Sequence, residues 1–393
     1  MRYTTRLNVL VGLAFLSFLI ALRLVYVSDY GLPIRGKWDS WADVKAPPLA
    51  SSPDHRLVVF GDAWSYTGAR LHDRGKGWPE WVCTSWPCRL ETYAQQDHAC
   101  QGPFCGSVVD DLELQKITSD LNELREPLPD LRAQVDQWLT SEHEAMLKDP
   151  AGGDMHARMN DTVFAVSFVV WDIWKFLHAP LGDTIKSSIS RSIDSLFEQL
   201  NRLPAESGFG DVRVVLMLSI DPTFLPAFDA TAGQKDMVSI VEQWNRELQE
   251  KAREWEGGSM YIFDTNEFLL DQVRGYQYYA AGMLDANGLW EENPWDDVEH
   301  PCVESTGKWM TFLGNESKTC ENPDKFLFWD GLHLGPTANE LMGTEIFHSI
   351  ESSWIENNDA VAPEPENHEA EQTDSTPINR RTSRRNAGVS FGR

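Results

Sequence analysis

Short apolar runs alternate with amphipathic helices along the middle of the chain, and this alternation limits the possible folds more than any other feature. Each run has the length and β-branched composition of a buried strand. The predicted strands are 57–60, 163–170, 212–219 and 260–263. Apolar residues recur at helical spacing elsewhere. The predicted helices are 128–139, about 234–256, and 337–350. This order predicts a three-layer α/β fold whose mainly parallel sheet is covered by helices on both faces.

Acidic residues follow three of the predicted strands. Asp62 comes directly after the first strand, and Asp172 and Asp221 come shortly after the second and third. In parallel sheets, chemistry is concentrated in the loops beyond the carboxyl ends of the strands. We therefore expect these three loops to converge on one cleft.

The N-terminal segment has the composition of a membrane anchor. Residues 7–22 are almost wholly apolar, two arginines precede them, and 24–27 extend the run beyond Arg23 to roughly the 20 residues that a bilayer span needs. The preceding arginines favour a cytoplasmic N-terminus, as in a single-pass type II protein of the secretory pathway. The alternative is a cleaved signal peptide, which would leave a secreted protein. That alternative needs a small-x-small cleavage site, and 21–31 contains no convincing one.

Sequons and cysteines agree with a lumenal or extracellular body. Asn160 and Asn315 each begin an Asn-x-Ser/Thr sequon. The cysteines form three local pairs, Cys83/Cys88, Cys100/Cys105 and Cys302/Cys320. Such pairs suit disulfides in an oxidising compartment. Zinc is the alternative for closely spaced cysteines, but no histidine follows them at finger-like spacing, so we expect no metal and no cofactor.

The charge balance excludes one class of partner and marks one end of the chain. Lys and Arg number 34 against 60 Asp and Glu, a net charge of −26, which argues against a general nucleic-acid binder. After about residue 356 the chain is polar, acidic first and arginine-rich last, as in a disordered tail. The predicted organisation is a stub and anchor (1–28), a linker (29–55), a lumenal domain (56–355) and a tail (356–393).

Two motifs far apart in the chain carry candidate chemistry. Residues 60–68, Phe-Gly-Asp-Ala-Trp-Ser-Tyr-Thr-Gly, directly follow the first predicted strand. Near the other end, Asp330 stands three residues before His333, and a Pro-Thr helix start follows at Pro336. An aspartate at this spacing can orient the imidazole and favour its charged form. The alternative is that Asp330 and His333 form a hydrogen-bonded pair that only stabilises the loop.

Together these motifs resemble the first and last blocks of the SGNH, or GDSL-type, ester hydrolases, especially the fungal and plant-like branch. The resemblance covers roughly 56–350 and implies a flavodoxin-like three-layer fold. It also implies that the residue after Gly-Asp is a serine nucleophile, that His333 is the base and that Asp330 orients it. Cys302 and Cys320 resemble the cysteine pair that often precedes the final block, which implies a disulfide between them.

The chain departs from the family pattern at the nucleophile. Ala63 stands at the serine position, and a methyl group has no lone pair with which to attack a carbonyl. Asp62 is implied to hold the backbone of the turn, as in active relatives. Ser65 is a candidate substitute nucleophile, although two residues later on a tight turn its hydroxyl should point elsewhere.

The oxyanion positions have changed as well. The block usually written Gly-x-Asn-Asp matches Val169 to Asp172, with Trp171 where asparagine would stand. The second glycine block aligns loosely near Gln95 and Gln96, either of which is a candidate replacement donor. Losing one oxyanion donor typically costs about 2.7–4 kcal/mol of transition-state stabilisation.

Three functions remain open from the sequence, of which the third is a non-enzymatic scaffold that acts through the acidic and then basic tail after about residue 356. The first is a degenerate, membrane-anchored esterase that binds a glycan, a lipid or a protein, with Trp64, Trp171, Asp172 and Gln95 as candidate binding residues. For Trp171, packing in the core is the alternative. The second is an active ester hydrolase or O-acyltransferase on an acylated substrate, which uses Asp330 and His333 with a non-standard nucleophile.

Overall fold

The computed structural model describes residues 55–65, 67, 74–94, 107–118, 128–148, 155–177, 183–228, 234–282, 293–305 and 317–354. The predicted anchor, nearly all of the predicted linker and the predicted tail lie outside these ranges. Within them, no helix combines the length and the apolar composition that a membrane crossing requires.

A parallel five-stranded sheet forms the centre of the fold. Its strands are β1 (Arg56–Gly61), β2 (Arg89–Thr92), β3 (Thr162–Ser167), β4 (Val212–Met217) and β5 (Gly258–Phe263). Their order is β2-β1-β3-β4-β5, and every neighbouring pair is parallel. All residues of β1, β3 and β4 are buried, which is why these strands are mostly apolar. Arg213 in β4 is a buried exception. The predicted parallel α/β fold is confirmed.

Helices cover both faces of this sheet. They are α1 (Trp78–Ser85), α2 (Asp111–Thr118), α3 (Leu131–Lys148), α4 (Met155–Asn160), α5 (Trp171–Leu177), α6 (Asp183–Ser207), α7 (Gln234–Glu254), α8 (Thr265–Ala280) and α9 (Pro336–Trp354). The chain leaves β1 in one direction to reach β2, then returns across β1 to reach β3. Right-handed crossovers therefore place α1 on one face and α3, α6 and α7 on the other. Helix α9 packs beside α1, and α6 packs against both α3 and α7.

Some boundaries differ from the prediction for identifiable reasons. The second strand ends at Ser167 instead of residue 170, because a side chain from another loop takes the next backbone amides, as described below. The helix predicted over 128–139 begins at Leu131 and continues to Lys148. The edge strand β2 is not among the predicted elements because it is short and polar. Helix α6 is not among them either, because its many serines make the apolar spacing of a helix harder to recognise.

Two small strand pairs lie between α8 and α9. Strand β6 (Asp297–Pro301) pairs in parallel with β9 (Phe326–Phe328), and β7 (Val303–Ser305) pairs antiparallel with β8 (Ser317–Thr319).

Two of the three predicted cysteine pairs lie at disulfide distance. Cys302 and Cys320 are bonded, with their Cα atoms 4.9 Å apart, and so are Cys83 and Cys88 at the same separation. Cys100 and Cys105 lie outside the described residues. The Cys302 amide donates to the Phe328 carbonyl (3.0 Å), so this disulfide braces the strand that leads to Asp330.

Candidate functional site

The candidate site lies where the direction of the sheet reverses. The connections from β1 and β3 run to opposite sides of the sheet, and such a reversal opens a crevice at the strands' carboxyl ends. Asp62, fully buried, spans that point. Its Oδ2 accepts the amides of Val169 (3.0 Å) and Val170 (3.1 Å), and its Oδ1 accepts the amide of Trp64 (3.0 Å). One carboxylate thus ties the turn after β1 to the chain leaving β3.

The electrostatics of Asp62 show how deeply it is placed. Burial raises the pKa of Asp62 to about 6, and the three amide donors and the positive charge of His333 offset that effect only in part. A carboxylate without amide donors would be still harder to ionise there.

A tight turn follows Asp62 and holds Ala63 and Ser65. Residues Ala63–Ser65 form one turn of 3-10 helix, and all three are buried. The turn requires glycine before it, because a Cβ on Gly61 would lie 2.5 Å from the Ser167 carbonyl oxygen. The Ser65 hydroxyl lies beside the same point, 3.1 Å from that Cβ position, and has no hydrogen-bond partner among the described residues. Ser65 therefore makes no hydrogen bond to His333.

The Asp330 and His333 side chains form a closely bonded pair. The imidazole Nδ1 lies 2.9 Å from Asp330 Oδ2, and Asp330 Oδ1 accepts the amides of Leu332 (2.8 Å) and His333 (2.9 Å). Burial by itself raises the pKa of Asp330. The opposite effects are larger and lower this pKa to about 2; they come from the charge and hydrogen bond of His333, the Leu332 amide and the charge of Arg74. Asp330 is thus held as a carboxylate at any pH near neutrality.

A tryptophan joins the two motifs directly. The indole Nε1 of Trp64 donates to the Leu332 carbonyl (2.8 Å), across 268 positions of sequence. Trp64 is only 4% exposed. The Trp64 side chain therefore acts as a clamp, which here means that its hydrogen bond holds the turn after Asp62 against the loop that carries His333.

The outer nitrogen of His333 is the unusual atom of this site. Since Nδ1 is engaged by Asp330, Nε2 is the ring atom left for chemistry. It is buried and has no hydrogen-bond partner among the described residues. Buried polar atoms are nearly always paired in folded proteins. The unpaired Nε2 is therefore a position at which a further hydrogen-bonding group, such as one from a ligand, can bind.

The remaining candidate binding residues have structural contacts. Both oxygens of Asp172 accept the Val109 amide at 3.1 Å, and burial raises the pKa of Asp172 well above its ordinary value. Trp171 is 4% exposed at the start of α5, and its indole N–H has no partner in the described part of the chain. Gln95 lies outside the described residues. Asp221 caps the short turn after β4 by accepting the Thr223 amide (2.9 Å). The loop after β4 reaches the rest of the site through its backbone, because the Ile220 amide donates to the Val169 carbonyl (3.1 Å) and the Ala227 amide donates to the Gly331 carbonyl (2.9 Å).

The structure describes one of the two predicted sequons. Asn160 is half-buried at the end of α4, and the sequon hydroxyl of Thr162 donates to the Arg158 carbonyl (2.8 Å). Asn315 lies outside the described residues. Nowhere in the described ranges do three His, Cys, Asp or Glu side chains gather as metal ligands would.

Three residues that support the site have no signal in the sequence. Gln134 on α3 accepts the Gly61 amide (2.8 Å) and donates to the Gly61 carbonyl (2.9 Å), which fixes the end of β1. Asn339 accepts the Trp78 amide (3.2 Å) and so joins α9 to α1. Arg74, nearly fully buried, places a positive charge near Asp330. Each is a polar residue in an unremarkable context, and only the folded chain brings it to its partner.

Comparisons with known proteins leave the family of this chain open. No protein-family model matches the chain, and no curated protein matches it. A possible lipase from Chitinophaga pinensis, a solved structure, aligns with 77% of this chain and 99% of its own at 11% identity and a TM-score of 0.36. An α/β-hydrolase enzyme from the metagenome of Lake Arreo, Spain, aligns with 77% of this chain and 97% of its own at 10% identity and a TM-score of 0.33. Similarity at this level carries no argument about the chemistry of the chain.

Proposed function

We propose that this chain is an SGNH/GDSL-like hydrolase that has lost its nucleophile and now binds a glycan, a lipid or a protein in the secretory pathway. The observation that carries the proposal is Ala63, buried in the turn after β1, together with a complete Asp330–His333 pair whose Nε2 has no partner. The strand order β2-β1-β3-β4-β5 agrees with the flavodoxin-like topology that the sequence resemblance implies.

The hydrogen bonds of Asp62 support loss of catalysis beyond the nucleophile. Val169 stands where the family pattern has glycine, and its amide is already donated to Asp62 (3.0 Å), as is the amide of Val170 (3.1 Å). Trp171 brings no carboxamide to the position of the family's asparagine. A tetrahedral oxyanion at this point would therefore receive neither of these two amides and no carboxamide from position 171.

A serine-directed fluorophosphonate probe tests this proposal. We expect no labelling of the full-length protein and a slow labelling of Ala63→Ser, because the new hydroxyl would stand at the nucleophile position. Labelling of Ala63→Ser should disappear in Ala63→Ser/His333→Ala and persist in Ala63→Ser/Ser65→Ala. Labelling of the unaltered protein that Ser65→Ala abolishes would overturn the proposal. An Ala63→Ser variant that folds and stays unlabelled would assign the loss of catalysis to the missing oxyanion donors as well.

One observation favours a second candidate function, an active hydrolase or O-acyltransferase. The unpartnered Nε2 of His333 has the position of a general base that awaits a hydroxyl from water or from a substrate. Under this alternative, the full-length protein should release acetate from acetylated glycans or simple esters, or transfer it. His333→Ala should then remove at least 100-fold of that activity, the lower end of what general-base catalysis contributes. An activity that survives His333→Ala would exclude this route.

We also propose a type II membrane topology with a lumenal body. The support is the apolar segment 7–22, the sequons at Asn160 and Asn315, and the bonded cysteine pairs, which suit an oxidising compartment. Protection of the body from protease in sealed microsomes, and a mobility shift on endoglycosidase treatment that Asn160→Gln/Asn315→Gln abolishes, would support it. Digestion of the body in intact microsomes would refute it.

A further inference from the structure

The loop that carries His333 is connected to a disulfide through its backbone. The Trp329 amide donates to the His333 carbonyl (2.9 Å), which closes the turn between these two residues. The Trp329 carbonyl accepts the amide of Val303 (2.8 Å). Val303 directly follows Cys302, whose sulfur is bonded to that of Cys320. One peptide step and two hydrogen bonds therefore lead from the disulfide to His333.

Cys302 is held by its backbone as well as by its sulfur. Its amide donates to the Phe328 carbonyl (3.0 Å), and its carbonyl accepts the Cys320 amide (2.8 Å). Cys302 is buried, and Cys320 is half-buried. The Cys302 backbone thus joins the segment of Cys320 to β9, the strand that precedes the His333 loop.

The strands around this disulfide are too short to stay paired by themselves. β7 and β8 pair over three residues, and an isolated two-stranded ribbon is at best marginally stable in water. The pairing of β6 with β9 ends at Pro301, two residues before Val303. A covalent bond between Cys302 and Cys320 reduces the number of conformations that an open ribbon can adopt, so it favours the closed ribbon. The position of the Val303 amide therefore depends on the disulfide.

We propose that Cys302 and Cys320 are positioning residues for His333. Their disulfide keeps the imidazole in its buried place through the backbone of Val303 and Trp329. The atom whose burial this connection maintains is the His333 Nε2. The inference rests on the proposed function only in treating His333 as a functional residue.

Two other carbonyls of the same loop are bonded to different elements. The Gly331 carbonyl accepts the Ala227 amide (2.9 Å), and the Leu332 carbonyl accepts the Trp64 indole N–H (2.8 Å). These bonds do not pass through either cysteine, so they should persist when the disulfide is removed. Loss of the disulfide should therefore open the loop locally and leave the central sheet folded.

Carbethoxylation by diethyl pyrocarbonate measures this opening on the full-length protein. The reagent acylates unprotonated imidazole nitrogens that it can reach, and tandem mass spectrometry identifies the modified residue. His348 is the internal reference, because its side chain is 66% exposed on α9. In Cys302→Ala/Cys320→Ala, the rate of His333 relative to that of His348 should rise at least about fivefold, the effect on a local opening equilibrium of losing one backbone hydrogen bond.

A second variant tests the route from the disulfide to the loop. Val303→Pro keeps the disulfide but removes the amide that donates to the Trp329 carbonyl. It should raise the relative rate of His333 by a similar factor. Combining Val303→Pro with Cys302→Ala/Cys320→Ala should add little, because both changes break the same connection.

The other bonded cysteine pair supplies the matched control. Cys83 and Cys88 are joined at the same Cα separation of 4.9 Å, at the end of α1 and directly before β2. The Arg89 amide donates to the His55 carbonyl (2.7 Å), so this disulfide lies near the amino ends of the strands, whereas the candidate site lies at their carboxyl ends. Cys83→Ala/Cys88→Ala should lower the stability to urea and leave the relative rate of His333 unchanged.

Several results would overturn the inference. An unchanged relative rate in Cys302→Ala/Cys320→Ala would do so, as would an equal rise in Cys83→Ala/Cys88→Ala, which would indicate a general loss of stability. Additive effects of Val303→Pro and the cysteine changes would also overturn it. If Cys302→Ala/Cys320→Ala fails to fold, Val303→Pro decides alone, and an unchanged rate there would refute the connection. Fluorophosphonate labelling of Ala63→Ser tests the proposed function separately, so the failure of either idea can be told from that of the other.

Discussion

The buried carboxylate of Asp62 gives a prediction whose size can be worked out from the structure. Its pKa rises from an ordinary 3.8 to about 6 in the fold. The folded state therefore binds this proton more tightly than the unfolded chain does. The contribution of Asp62 to stability is greatest below pH 3.8 and is lost as the pH rises through 6. At about 1.4 kcal/mol per pH unit, the ionised Asp62 costs the folded protein about 3 kcal/mol at pH 7.

Asp62→Asn removes this titration and introduces a cost that does not depend on pH. The carboxylate accepts the Trp64 amide on one oxygen and the Val169 and Val170 amides on the other. An asparagine has one acceptor oxygen, so its NH₂ group must face at least one amide donor, at a cost of about 1–3 kcal/mol. The variant should be less stable than the wild type near pH 4 and about equally stable at pH 7.

Urea unfolding at half-unit pH steps from 4 to 7.5 measures this difference. We expect the free energy of unfolding of the wild type, minus that of Asp62→Asn, to fall by about 2–3 kcal/mol across the range. Asp271→Asn, which removes a carboxylate that is 57% exposed on α8, controls for loss of one negative charge. A difference that stays constant from pH 4 to 7, or that rises, would refute the reasoning about Asp62.

Three further variants probe the same site. Trp64→Phe keeps an aromatic ring but leaves the buried Leu332 carbonyl without its donor, so the free energy of unfolding in urea should fall by about 1–3 kcal/mol. A neutral result would remove Trp64 as the clamp. Gly61→Ala places a Cβ 2.5 Å from the Ser167 carbonyl oxygen, so the free energy of unfolding should fall by about 3 kcal/mol and the melting temperature should fall with it. An unchanged melting temperature would contradict this close approach. Because the pKa of Asp330 is lowered to about 2, its stabilisation is present above pH 3.8 and lost as the pH falls towards 2. The stability difference between wild type and Asp330→Asn should therefore shrink by about 2 kcal/mol over that window, and a difference independent of pH would contradict the assignment.

The predicted strands are confirmed most closely where the sheet is buried on both faces. β1 and β4 follow mostly apolar runs, because a strand covered on both sides has few positions at which a polar side chain is favoured. β4 begins at the predicted residue and ends at Met217, two residues before the predicted end. The end of β3 is different. Its apolar run continues to Val170, but Asp62 takes the amides of Val169 and Val170 and so ends the ladder at Ser167.

The candidate site, too, was predicted from the sequence only in part. The sequence places Ala63 after Gly-Asp and places Asp330 three residues before His333. It contains no signal for the bond from Trp64 to Leu332, since the two residues are 268 positions apart. The sequence likewise does not predict that Gln134 bonds Gly61 or that Arg74 acts on Asp330, because both depend on how helices and loops pack.

A second Asp-x-x-His unit in the same chain separates what the sequence determines from what the fold decides. Asp297 Oδ1 accepts the amides of Glu299 and His300, both at 2.8 Å, and Asp297 Oδ2 lies 3.0 Å from the His300 Nδ1. This arrangement is nearly that of Asp330 and His333, because a carboxylate reaches the amides two and three residues ahead through local geometry alone.

The surroundings of the two pairs have nothing in common. The His300 side chain is 72% exposed, whereas that of His333 is 11% exposed and lies within the electrostatic reach of Asp62. Local sequence was thus enough to build the aspartate–histidine pair twice. Only the tertiary structure decided which pair is desolvated and which lies within the electrostatic reach of Arg74 and Asp62, because these residues are distant along the chain.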